Sequence, residues 1–466
     1  MLKRLVLFLI IIEANLAVAN NQLITYFPLE KYSQDIDFWI DSLDNDYDRP
    51  LADYQQQLNQ SKNIYKHYYS AKDDDLSSWS KLFVENILQG ENGNNIAIQE
   101  VNIIIKLYKQ INEIYGENHK HYPTSWFDKV ANNLNISAID LEYNPKNNAI
   151  AIQNLSLRAI PSLDPMFYSS DLAGQGYPFD IIQTTSVTIG TPLYIVNSSL
   201  DNSKYLVITP DAVGWVDANG VAIASTRFIK QWNDYAKNQG IIAITNNTPA
   251  RKTIMLTGTT LPIYKKQNNK IYSAFPIADS KYQARIASVE INKSDIAVVP
   301  LLLTVHNFVN IMRNRLGDQY GWGGYLFKND CSAELKSLFI AFGIYLPRNS
   351  QYQWQSANKV VNLDQQSAIE REKYLLKYGK KFLTLVQIPG HIFLYIGNHS
   401  NPYSEKHEPI ALTYQTIWGL RNSENSSRAI IGGTVILPLL QEYPEDTTLL
   451  SLYNAERKTF RILNLL

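Results

Sequence analysis

YGWGGYLFKNDCSAELKSLFIAFGIYLPRNSQYQ, residues 320–353, decides how this chain is read. Asp330 precedes Cys331, and Leu335, Leu338, Phe339 and Phe342 follow at helix spacing before Gly343 ends the run. Asp330 is a good N-cap, so Cys331 falls in the first turn of a helix with a buried apolar face. There the unpaired backbone N–H groups and the helix dipole favour a thiolate and lower the thiol pKa. Position alone leaves two readings open, an ordinary small core cysteine or a reactive thiol.

Around this stretch lie 466 residues, enough for about three domains. Cys331 is the one cysteine, which excludes an intramolecular disulfide, a Cys-rich zinc site and an iron–sulfur cluster. No metal and no cofactor is expected. Lys plus Arg (43) balances Asp plus Glu (43), so the basic surplus of a nucleic-acid protein is missing. With 45% hydrophobic and 18% charged residues the chain is not disordered.

The N-terminus has the anatomy of a secretory signal peptide over residues 1–19. Lys3 and Arg4 precede an apolar run from Leu5 to Ile12, and Ala17-Val18-Ala19 is a small-residue cleavage pattern. No later segment is long and apolar enough to span a bilayer. The expectation is an exported chain, periplasmic or secreted, without stable membrane insertion after cleavage. In such an oxidising place a cysteine without a partner reads as a reactive thiol.

Residues 20–155 read as helical. The clearest helix is expected from Ile96 to Tyr115, and another after Thr124-Ser125 with Trp126 and Phe127 turned to a core. Asp73 to Asp75 reads as a solvated loop and helix start. From about 156 to 300, short strand-like runs alternate with turn residues. Two tandem small barrels, 156–235 and 236–300, fit this length better than one larger sandwich. Mixed helix and strand follow over 301–440, with helices expected at Leu301–Leu316 and Ile369–Tyr378. Residues 441–466 read as a short appendage. The fold class is thus α+β and multi-domain.

A thiolate nucleophile needs a general acid/base and a group that orients it. Of seven histidines, His391 stands out because it opens a strand bounded by Gly390 and Gly397, on the same face as Phe393. A lone histidine in a strand is more often structural than catalytic. The run Ile410 to Trp418 is expected to pair antiparallel with it, bringing Gln415 within reach of the second ring nitrogen.

The order of these pieces resembles the NlpC family of bacterial cell-wall cysteine peptidases. The matching residues are Tyr320-Gly321-Trp322-Gly323-Gly324, Asp330-Cys331-Ser332, Leu346-Pro347-Arg348-Asn349-Ser350, Gly390-His391 and Trp418-Gly419. Upstream, Gly176-Tyr177-Pro178-Phe179-Asp180, Gly190-Thr191-Pro192 and Gly214-Trp215-Val216 look like the first SH3 module of the family's multi-module branch. The resemblance implies a helical N-terminal region, two SH3-like β-barrels and a papain-like α+β peptidase domain. It makes Cys331 the nucleophile, His391 the general acid/base and Gln415 the third polar residue. Tyr320 joins the Cys331 backbone N–H in holding the oxyanion. Asp330, Ser332, Asn349, Ser350 and Trp322 are implied to line the substrate groove. The implied reaction hydrolyses the γ-D-glutamyl–diamino acid bond of peptidoglycan stem peptides. Two residues depart from the pattern, Ala333 in place of glycine and Asn349 in place of an aspartate that would pair with a free stem amine. The competing readings are a non-catalytic peptidoglycan-binding SH3 protein and an amidase or acyltransferase on the same fold.

Overall fold

The computed structural model of the chain describes residues 23–73, 75–454 and 459–466. The expected signal peptide lies outside the described residues. Among the described residues no helix is long and apolar enough to cross a membrane.

Three large sheets organise the chain, two of seven strands and one of five. The first seven-stranded sheet is built from strands between Asn148–Ala151 and Val221–Ile223. Leu206, Ile208 and Trp215 from this sheet share a core with Val84, Leu88, Ile96, Ile104 and Phe127 of the preceding helices. Those helices are Lys81–Gln89, Ile96–Lys109 and Thr124–Asn133. The helix expected to reach Tyr115 therefore stops at Lys109, where Gln110 bonds back to the Leu107 and Tyr108 carbonyls. Asp75 also departs from expectation: it is buried and accepts a hydrogen bond from Ser70 Oγ.

The five-stranded sheet runs from Ile241–Ile244 to Ile296–Val299 and carries the helix Thr226–Gln239 on one side. Phe228, Ile229, Trp232 and Ala236 recur at three-to-four spacing and are buried, which fixes that helix against the sheet. The helix crosses residue 235, where the sequence reading divided the two barrels. A further helix, Tyr54–Tyr68, wedges between modules. Its Gln57 donates to the Phe342 carbonyl at 2.8 Å, tying the N-terminal region to the C-terminal part.

The second seven-stranded sheet holds the C-terminal part together. Its order is Ile24–Tyr26, Arg428–Leu439, Pro409–Arg421, His391–Ser400, Thr384–Ile388, Arg461–Asn464 and Lys359–Asn362. Strands from near both ends of the described residues join it. Ile24–Tyr26 lies within residues 20–155, expected to be helical, yet it is a strand that pairs in parallel with Arg428–Ile430. Arg461–Asn464 lies between two other strands, so the tail is an integral part of the sheet and not an appendage. Two consecutive apolar residues explain this, because Ile462 and Leu463 are both fully buried, one on each face.

The helix Cys331–Phe339 packs against the central strands His391–Ser400 and Pro409–Arg421. Leu335, Leu338 and Phe339 supply its apolar face. The helix before it is shorter than expected, Val305–Arg313, because Thr304 caps its start by accepting from Asn307 N–H. The helix Ala368–Tyr378 is close to expectation and opens with a Ser367–Glu370 capping box.

Candidate active site

Cys331 is the first residue of its helix. Asp330 caps the helix, its carboxylate accepting the Ala333 N–H at 3.0 Å. The backbone N–H groups of Ser332 and Ile392 are turned towards the Cys331 sulfur and favour its charged form. The second contact places the thiol beside His391, one residue earlier on the facing strand.

His391 opens that strand as a half-buried residue, its ring 5.6 Å from the Phe393 ring. Its Nε2 lies 2.8 Å from Gln415 Oε1 on the neighbouring antiparallel strand. Gln415 Nε2 donates to Thr413 Oγ1 at 2.9 Å, and Thr413 donates in turn to the Leu437 carbonyl at 2.6 Å. This chain has a direction. Its last acceptor is a carbonyl, so Thr413 must donate, the Gln415 amide must turn its oxygen to the histidine, and His391 must carry its proton on Nε2. The other ring nitrogen, Nδ1, is left as an acceptor.

Burial pushes the Cys331 thiol up to about 12, with the Asp330 carboxylate adding to the rise; the two backbone donors and Arg348 oppose it. The expectation of a thiol lowered by the helix start is therefore reversed, because desolvation outweighs the dipole. Burial also takes His391 down to about 4, with Gln415 and Asp330 opposing. Both groups are neutral near pH 7.

The Asp330 carboxylate is fully engaged. Arg348 donates to it at 2.7 and 3.1 Å, Gly323 N–H at 3.0 Å and Ser332 Oγ at 3.1 Å. Burial raises this carboxyl, but Arg348 and the hydrogen bonds outweigh it and hold it below the usual range. Ser332 Oγ also receives Arg348 at 2.9 Å. Asp330 and Ser332 thus form the floor of the groove, with their polar atoms turned to Arg348 and not left free for a ligand. Asn349 caps the turn Ser350–Ser356 by accepting Gln351 N–H at 2.8 Å.

Tyr320 is buried, and its hydroxyl is held far above the usual range by burial and by nearby Cys331 and Asp330. Its ring lies 6.0 Å from Trp418 and 6.3 Å from Phe179. Trp322, more exposed, sits 5.4 Å from Phe179. Gly323 and Gly324 explain the double glycine after Trp322. Both have positive φ, and a Cβ on either would fall within 2.7 Å of the Gln183–Val187 strand of the first sheet. The loop beside the thiol is pressed against that sheet. Gln183 Nε2 donates to the Gly323 carbonyl at 3.0 Å, and Arg348 Nε donates to Thr185 Oγ1 at 2.7 Å.

Two cavities flank this centre. The larger, about 720 Å³, touches Cys331, Asp330, Ser332, Asn349 and Ser350. The smaller, about 320 Å³, touches His391, Tyr320, Phe179 and Trp418. Trp322 and Gly390 border both. A third cavity, about 380 Å³, lies behind Arg348 and touches neither Cys331 nor His391. Among the described residues no group of histidines, cysteines and carboxylates could hold a metal ion.

The structure thus brings together Cys331, His391, Gln415 and Tyr320, with Asp330, Ser332, Asn349, Ser350 and Trp322 around them. Sequence reasoning gave no role to Arg348, Thr413, Trp418 or Phe179. Nor did it find the fully buried Glu334, which accepts from Arg315 at 2.8 Å and from Tyr414 at 2.7 Å. An acidic residue at the fourth position after the N-cap, in an otherwise mostly apolar helix, was the available signal for it.

A family model for the SH3 domain of SH3b1 type matches residues 165–217. Among solved structures the chain is similar to an NlpC/P60 endopeptidase from Photobacterium damselae subsp. piscicida. The two share 26% identity and a TM-score of 0.79, over 95% of this chain and 98% of the other. An NlpC/P60 family protein from Bacillus cereus aligns with 14% identity and a TM-score of 0.39, over 65% of this chain and 98% of that one. No curated protein sequence matches. The chain shares the architecture of an NlpC/P60 endopeptidase over nearly its whole length and carries an SH3 module against the candidate site, as its resemblance to the NlpC family implied.

Proposed function

We propose that the protein is an exported cysteine endopeptidase that hydrolyses the γ-D-glutamyl–diamino acid bond of peptidoglycan stem peptides. The observation that carries this reading is the Cys331 sulfur beside Ile392 N–H, with the adjacent His391 held through Nε2 by Gln415. In this reading Cys331 is the nucleophile and His391 the general acid/base. Gln415 is a positioning residue.

The thiol proton passes to His391 Nδ1 as the sulfur attacks the scissile carbonyl carbon. The oxyanion is received by the Cys331 N–H and the Tyr320 hydroxyl. The high pKa of that hydroxyl keeps it protonated, so it is a donor throughout. Collapse breaks the C–N bond, and the imidazolium returns its proton to the departing amine. Water then attacks the thioester with His391 as base, releasing the acid and restoring the thiol. Neutral resting groups suit this sequence, because the proton moves only as the bond forms. The SH3 module walls the groove through Phe179 and the Gln183–Val187 strand, and the five-stranded sheet is read as a second SH3-like module. Periplasmic or secreted location follows from the N-terminal segment.

Digestion of purified sacculi, read by mass spectrometry, tests this. Wild-type protein is expected to shorten stems at the γ-D-glutamyl bond, and Cys331→Ala to abolish the products. Release of whole stem peptides would make it an amidase. Binding to sacculi without any product would make it a non-catalytic wall protein.

A further inference from the structure

The two cavities meet the reacting atoms from different sides. The larger one touches Cys331 and not His391, and the smaller one touches His391 and not Cys331. In the reading above, the acyl half of the substrate stays on the sulfur while His391 hands a proton to the departing amine. The leaving group therefore occupies the smaller cavity.

The chemistry of that cavity is specific. Ile417, Trp418, Leu420 and Leu450 give it apolar walls, while Arg421 and Arg428 line it together. These two arginines face each other across the ladder between Pro409–Arg421 and Arg428–Leu439. Like charges directly opposite each other destabilise a sheet. Arg428 donates to neutral oxygens, the Ser427 carbonyl and Asn425 Oδ1, each at 2.9 Å. Burial and then Arg421 hold its pKa below the usual value. Among the described residues no carboxylate forms an ion pair with Arg428, and no Asp or Glu lines the cavity. Its guanidinium is also held in place, for a Cβ on Gly174 of the SH3 module would lie 2.8 Å from its Nε. A fixed cation in a cavity with apolar walls is built to receive an anion.

We propose that the smaller cavity is the leaving-group site and that Arg428, opposite Arg421, binds a free carboxylate of the departing diamino acid. The inference rests on the proposed peptidase reading and adds a specificity to it: the enzyme selects stems whose diamino acid is anionic and discriminates against amidated ones. The apolar walls contact the methylene chain, and the guanidinium reads its charged end.

The test uses two synthetic stems, γ-D-glutamyl-diaminopimelate with free carboxyl groups and the same compound with the diamino acid's carboxyls as carboxamides. Wild-type full-length enzyme is expected to cleave the carboxylate at least about tenfold faster in kcat/KM, the range of a charge-assisted contact. Arg428→Gln is expected to remove most of that preference through KM, with kcat for the carboxylate little affected. Arg428→Lys is expected to keep part of it. Equal loss on both substrates in Arg428→Gln would make the residue merely structural and overturn the inference. So would a wild-type enzyme indifferent to amidation. Failure of the wild type to cleave either stem would overturn the peptidase reading itself.

Discussion

The resting charge state of the Cys331–His391 pair is open to direct measurement. The thiol is raised to about 12 and the imidazole lowered to about 4, both first of all by burial. Moving the proton from sulfur to nitrogen in the resting protein runs against a gap of about eight units, on the order of 10 kcal/mol. Attraction between adjacent ions returns about 4 kcal/mol at ~4 Å and an effective dielectric of about 20. The neutral pair wins. A thiolate–imidazolium pair would show an alkylation rate that is flat from about pH 5 to 8. The neutral pair instead predicts an iodoacetamide rate that climbs with pH across that window without a plateau. Cys331 is the one thiol in the chain, so total alkylation by mass spectrometry reads a single site. Gln415→Glu sharpens the comparison. A carboxylate at that position would raise the His391 pKa from about 4, and a weak plateau should emerge at the acid end. A wild-type plateau at pH 5–8 would refute the argument that burial dominates the helix start.

Other perturbations follow from the same structure. Glu100 is buried with Trp215 Nε1 as its donor at 2.7 Å, and burial lifts its carboxyl to about 7. The folded value lies above the unfolded one, so its protonated form stabilises the fold below about pH 4.5 and that contribution is lost as pH rises to about 7. Glu100→Gln should therefore raise the unfolding midpoint at pH 8, by up to about 3 kcal/mol, and leave it nearly unchanged at pH 4.5, as followed by thermal melts. Gly323→Ala places a methyl 2.6 Å from the Gln183 carbonyl at positive φ; a loss of about 1–3 kcal/mol in denaturant unfolding is expected. The carboxylates touching the larger cavity, Asp211 and Asp330, are committed to Lys336 and Arg348. Acetylating the N-terminal amine of a stem substrate should then change kcat/KM by less than about threefold, since among the described residues no carboxylate touching that cavity is left to pair with the amine.

What could be read from the sequence was local. Asp330 as an N-cap, the helix behind Cys331 and the strand opened by His391 follow from spacing and short-range propensity, and the structure has them at nearly those bounds. The pairing that sets Gln415 against His391 was also within reach, since two adjacent strands joined by a turn usually pair antiparallel. Long-range placement was not. Nothing in Arg461–Asn464 says that it slots between Thr384–Ile388 and Lys359–Asn362, because a short apolar run pairs wherever an open edge meets it. The thiol pKa was misjudged for a related reason. The helix start is visible in the sequence, whereas the burial that overrides it depends on elements far away in the chain.

The SH3 module is the clearest case of a site part hidden by distance. Three separate sets of contacts bind it to the candidate site. Gly323 and Gly324 pack on the Gln183–Val187 strand, Arg348 joins Asp330 to Thr185, and Phe179 stands 5.4 Å from Trp322 and 5.8 Å from Trp418. Each contact reaches a different element of the site: the loop before the thiol, the floor under it, and the wall of the leaving-group cavity. A module attached only to grip the wall at a distance would need none of them. Their number and spread mean that the module helps to shape the groove, so in the proposed peptidase reading it acts on substrate choice whatever it binds elsewhere.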